Sequence, residues 1–257
     1  MTDVKQNRTA FLKPLLALVA LGTLGALSLL LTADATLAKL PPEQIAAAGG
    51  RNAVKAALLI QPIVLTLIAS AVGLALAQRV GLRSSIVEQL RDQEPSRVPL
   101  MLSVLVGAAA GALIISGDLL FAWAQPEAFA SLRAAELDPL VGLVQGILYG
   151  GITEEILVRW GLLSLIAWLL LKLRLPRNAA MWIAVAAAAL LFAAGHLPAL
   201  AAAAELNGPL VIRTLLLNAV GGMAFGALFV RHNLEAAMLA HMAAHVAFFV
   251  ARLAAAM

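Results

Sequence analysis

Glu154, Glu155 and Arg159 lie in GGITEEILVRW, Gly150–Trp160, within a run that is otherwise apolar. Ionisable side chains in such a run are costly in lipid, so each marks a candidate site. On an α-helix, neighbours point about 100° apart. Glu155 and Arg159 are four apart with the acid N-terminal, the favourable order for a helical ion pair. Arg159 is therefore expected to hold Glu155 ionised and fixed, leaving Glu154 free to face a cavity. Adjacent carboxylates in a poor dielectric also perturb each other's proton affinity, as acid–base chemistry requires. The plainer alternative is a surface ion pair at a helix end, with Arg159 snorkelling to the interface.

Two further segments carry imidazoles. LLFAAGHLPAL contains Phe192 and His196, and Pro198 predicts that the helix bends or ends nearby. A lone histidine on an apolar helix is more often a packing residue than a catalyst. LAHMAAHVAFF contains His241 and His245, four apart and so on one helix face. That spacing suits a metal pair, as in HExxH, but no Glu follows His241. The alternative is two interfacial histidines bonded to backbone or to neighbouring helices. Asp118, near the end of another apolar run, is read as interfacial and without a role. The chain has no cysteine, which excludes disulfides, thiolate zinc sites, cysteine catalysis and palmitoylation.

These groups must be positioned by membrane helices. Of the 257 residues, 62% are hydrophobic and 12% charged, with a mean hydropathy of +0.94. A soluble domain is about half apolar and about a quarter charged. An ordinary soluble globule and a disordered chain are both excluded, and no alternating barrel pattern is present. The reading is an all-α polytopic transmembrane bundle of about seven spans, each needing roughly 20 apolar residues. The expected spans are 15–31, 56–77, 100–124, 140 to about 171, 179–203, 210–230 and 234–253. The fourth is too long for a simple crossing and is expected to break or bend near Trp160–Gly161. Residues 1–135 would hold spans 1–3, with 15–31 a possible uncleaved signal anchor. Residues 136–257 would hold the core, in one integrated membrane domain.

The net charge of +4 reports topology here, not nucleic-acid binding. With the N-terminus inside, the inner segments hold Lys5, Arg8, Lys13, Arg79, Arg83, Arg91, Arg97, Lys172, Arg174, Arg177 and Arg231. The outer ones hold Lys39, Arg51, Lys55, Arg133, Arg213 and Arg252. The bias predicts a cytoplasmic N-terminus and a multi-pass protein of the bacterial cytoplasmic membrane. Gly142, Gly146 and Gly150, and likewise Gly222 and Gly226, repeat at four-residue spacing and are expected to let helices pack closely. At about 1.5 Å per residue, Glu154 lies roughly 27 Å from Lys172 and His196 roughly 28 Å from Arg177. On antiparallel helices the two share a level. His241 and His245 fall about 15 and 21 Å beyond Arg231. One cavity between mid-bilayer and the outer half would hold all of them.

EExxxR at Glu154–Arg159, FxxxH at Phe192–His196, and a final-span histidine followed at +4 by a polar residue resemble the CAAX protease and bacteriocin-processing family. This family is also known as the type II CAAX prenyl endopeptidases, or ABI family. The resemblance covers roughly Leu140–Phe249. His245 departs from it, since the family usually has Asn at this position. The resemblance implies an intramembrane endopeptidase acting on a membrane-associated protein or peptide, with no cofactor. Glu154 would be the general base and His196 would help position the water. Arg159 would orient the acidic pair through Glu155, and His241 and His245 would bond the oxyanion. Eukaryotic enzymes of this kind remove the last three residues of prenylated proteins. Bacterial members need not act on prenylated chains, so bacteriocin precursors, leader peptides and C-terminal sorting tails are possible substrates. Two alternatives stay open. One is a zinc-dependent version, with Glu154, His196, His241 and His245 as ligands. The other is a non-catalytic scaffold, immunity protein or transporter.

Overall fold

The structure, a computed structural model, describes residues 2–38, 40–130 and 138–255, with side chains from Thr9 onward. The expected boundary at 135/136 and the basic residues Lys39 and Arg133 lie outside the described residues. The described residues form helices and no strand: α1 (Thr2–Leu27), α2 (Leu30–Ala38), α3 (Pro42–Ala47), α4 (Arg51–Leu76), α5 (Ser85–Leu90) and α6 (Leu100–Ala124). A composite rod, α7, follows. It runs α-helically over Pro139–Gln145, with π-type winding over Gly146–Glu154 and Ile156–Leu163, and α-helically again over Ser164–Lys172. The remaining helices are α8 (Arg177–Gly195), α9 (Leu197–Ala203), α10 (Gly208–Arg231) and α11 (Leu234–Ala255).

Among the described residues, six helical stretches are long and apolar enough to cross a membrane: Thr9–Leu27, Arg51–Leu76, Leu100–Ala124, Arg177–Ala203, Gly208–Arg231 and Leu234–Ala255. The seventh expected span is α7, where the wide turns divide the rod. Two expectations need correction. The first span ends at Leu27, and a turn at Ser28–Leu29 starts a separate α2. The expected break at Trp160–Gly161 is absent, because the rod absorbs the irregularity by widening its turns. The interruption of apolar span five at His196 is the one expected from Pro198, which enters the first turn of α9.

α1 and α4 pack behind α7, and α6 packs along α11. The contacts are close because small residues admit larger neighbours. A Cβ on Gly73 would strike the indole of Trp160, and one on Gly107 would strike the Ala240 backbone. Thr153 donates to the Gly22 carbonyl at 2.8 Å, pinning α7 to α1. The core holds Leu18, Ile156, Trp160, Leu163, Val185, Phe229 and Leu234, all at most 1% exposed.

The ends of the bundle are tied by polar locks. At one end, the Glu235 carboxylate accepts from Ser84 Oγ (2.6 Å), Ser85 N (2.9 Å) and Ile86 N (3.0 Å). Asn233 Nδ2 donates to Ser96 Oγ and to the Arg97 carbonyl at 3.1 and 3.2 Å. Burial pushes the Glu88 carboxyl up, but bonds from Arg83 and Ser96 outweigh it and hold it below the usual carboxylate value. At the opposite end, Asp118 pairs with Arg213 at 2.6 Å, a partner that the sequence did not assign to it. The first lock joins the α4–α6 connection to the α10–α11 turn. Glu235→Ala orphans three donors there and is expected to cost about 2 kcal/mol, read as a lowered unfolding midpoint in detergent. An unchanged midpoint would contradict the lock.

Candidate active site

The site is built around a buried carboxylate. Glu155 is 0% exposed and Arg159 1% exposed. Arg159 Nη1 donates to Glu155 Oε1 at 2.9 Å, and Nη2 donates to the Gly222 carbonyl at 3.1 Å. The guanidinium also lies over the rings of Phe192 and Phe225, at 5.0 and 5.5 Å from their centroids. The expected i,i+4 pair is thus present, and it lies in the interior, not at a helix end as the plainer alternative had it. A third group joins it, since His241 Nδ1 is 2.7 Å from the same Oε1.

That contact assigns the tautomer of His241. A guanidinium can only donate, so Oε1 accepts from Arg159, and pairing with that cation favours the carboxylate, which can only accept. Nδ1 of His241 is then the protonated nitrogen, and Nε2 of the neutral ring holds a lone pair. His196 follows the same logic. Its Nδ1 is 2.9 Å from the Phe192 carbonyl, which can only accept, so Nδ1 carries the hydrogen. Phe192 therefore has two functions: its carbonyl fixes His196, and its ring packs edge-on against His196 and His241.

A cavity of about 410 Å³ brings Glu154, His196, His241 and His245 together. Glu155 and Arg159 lie behind its wall and do not line it. Gln145, Gly146, Tyr149 and Gly150 of α7 complete one side, and Asn218, Gly221 and Phe225 of α10 another. The cavity reaches Arg213, and so extends toward the Asp118 end of the bundle. His241 stacks between Phe225 (4.5 Å) and His245 (5.1 Å). Among the described residues no three His, Asp or Glu side chains are grouped to hold a metal ion.

The glycines of α7 do more than pack. A Cβ on Gly146 would overlap the ring and Cβ of His245. One on Gly150 would lie 2.8 Å from His245 Nε2 and 3.2 Å from His241 Nε2. Gly142, first in the repeat, meets only the Arg252 guanidinium, at 3.9 Å. Sequence reasoning missed Tyr149, Asn218 and Phe225. No α-helical periodicity relates Tyr149 to Glu154, and neither α10 residue belongs to a recognisable motif.

Residues 136–247 match the family model described as type II CAAX prenyl endopeptidase Rce1-like. The resemblance read from three motifs is thereby shown over this segment. The Rce1-like match takes in all six candidate residues and supports a membrane protease, that is, a peptide hydrolase. Comparison with curated proteins and comparison with solved structures each return no match.

Gly146→Ala is expected to displace His245 and to lower stability, because overpacking a tight helix contact costs about 1–3 kcal/mol. Adding His245→Ala should restore most of the loss in a double-mutant cycle. Additive losses would contradict the contact.

Proposed function

We propose that this chain hydrolyses a peptide bond of a membrane-associated protein or peptide by means of a water activated by Glu154. The observation that carries the reading is the division of labour between adjacent acids. Glu155 is buried and bound by Arg159 and His241, whereas Glu154 faces the cavity with three imidazoles. Glu154 takes a proton from water, and the resulting hydroxide attacks the carbonyl carbon. The C=O pair moves onto oxygen. When the tetrahedral species collapses, the C–N bond breaks and Glu154 returns the proton to the leaving amine.

The Nε2 lone pairs of His196 and His241 suit either one to accept the second hydrogen of that water and so to aim it. This differs from the expectation that His241 donates to the oxyanion, since its proton is spent on Glu155. His245 keeps a free ring nitrogen for that purpose. We take the reaction to need no metal. From the positive-inside bias we read the N-terminus as lying in the cytoplasm of a bacterial cell, and we read the cavity as opening outward because it reaches Arg213, which that reading puts outside. A translocated leader or C-terminal sorting tail would then be the substrate, and nucleic acid plays no part.

Glu154→Gln should leave the protein folded and abolish cleavage, read by comparing membrane-protein termini between cells with the wild-type and variant chains. A terminus produced equally by both would rule out Glu154 as the base. Full activity after exhaustive chelation is expected; loss restored by Zn²⁺ would favour the metalloenzyme instead.

A further inference from the structure

We propose that Tyr149 is a catalytic residue, donating its phenolic hydrogen to the oxyanion of the tetrahedral intermediate. The inference rests on the hydrolase reading above. Tyr149 lines the cavity with Glu154, and its hydroxyl has no hydrogen-bond partner among the described residues. It stands five residues before Glu154. On a regular α-helix such residues point about 140° apart and could not share a wall. Gly146–Glu154 is instead π-wound, so residues five apart are bridged turn to turn and come to one side. The wide turns therefore have a chemical consequence: they set a hydroxyl one turn from the proposed base.

The tautomers leave His245 as the one imidazole suited to donate to the oxyanion, so a second donor has a place there. The Nδ1 hydrogens of His196 and His241 are spent on the Phe192 carbonyl and on Glu155. Their remaining nitrogens accept, which suits a water and does not suit an oxyanion. Asn218 spends one amide hydrogen on the Thr214 carbonyl of its own helix. A phenol is a stronger donor than an amide and needs no protonation event. During attack the carbonyl oxygen gains the electron pair of its π bond, and the Tyr149 O–H is aimed at that charge. The proton stays on Tyr149, and the amine receives its proton from Glu154.

The test uses the full chain in detergent or lipid and a membrane-anchored, internally quenched peptide library. Tyr149→Phe is expected to lower kcat about 100-fold with KM nearly unchanged, the cost of one oxyanion donor. Binding of a peptidyl phosphinate, a tetrahedral mimic, should weaken by a similar factor. The chain has a single tyrosine, so growth on 3-fluorotyrosine alters this position alone and preserves a donor. That protein should keep its activity. Unchanged kcat in Tyr149→Phe, a rise in KM alone, or equal loss in the fluorinated protein would overturn the proposal while leaving the hydrolase standing. If the wild-type chain cleaves nothing in the library, the hydrolase reading fails and the proposal fails with it.

Discussion

One buried oxygen, Oε1 of Glu155, organises the C-terminal half of this bundle. It accepts from Arg159 on its own helix and from His241 on α11, and Arg159 reaches across to α10. Three helices thus converge on one carboxylate. Desolvating such a group is expensive, and burying a charge pair often fails to raise stability. Losing one partner, however, strands the other and costs about 3–5 kcal/mol. The arrangement is better understood as a device for specificity. It fixes the register of three helices and sets which nitrogen of His241 faces the cavity.

Close approach is the second constraint. Imidazoles on α11 can enter the cavity beside α7 only where α7 lacks side chains, at Gly146 and Gly150. Gly222 does the same for Ala189 between α10 and α8, which brings its carbonyl within reach of Arg159. Lipid offers no hydrophobic drive for helices to associate, so packing of this kind and interhelical hydrogen bonds must supply it. α1, α4 and α6 complete the enclosure by backing α7 and α11.

The sequence made some of this legible and hid the rest for definite reasons. The pairing of Glu155 with Arg159 was readable because i,i+4 spacing survives the change of winding. The bend at His196 was readable because Pro198 cannot continue a helix. The all-α membrane bundle followed from the apolar runs. The sharing of one cavity by Glu154 and three histidines was foreshadowed by depth arithmetic, although His241 as the second partner of Glu155 was not. The π winding left no periodic mark, so Tyr149 was invisible and a break was expected where the rod runs on. The glycine repeat was read as packing alone, since spacing cannot say that the neighbour is an imidazole. Asp118 found its partner 95 residues away, beyond any local pattern.

The Glu155 carboxylate holds the hydrogen of His241 on Nδ1. Nitrogen-15 NMR of histidine-labelled protein measures this directly, with only four histidines to assign. The account predicts a neutral His241 ring protonated at Nδ1 and bare at Nε2, and a shift of that equilibrium in Glu155→Gln. A His241 protonated at Nε2 in the wild-type chain would contradict it.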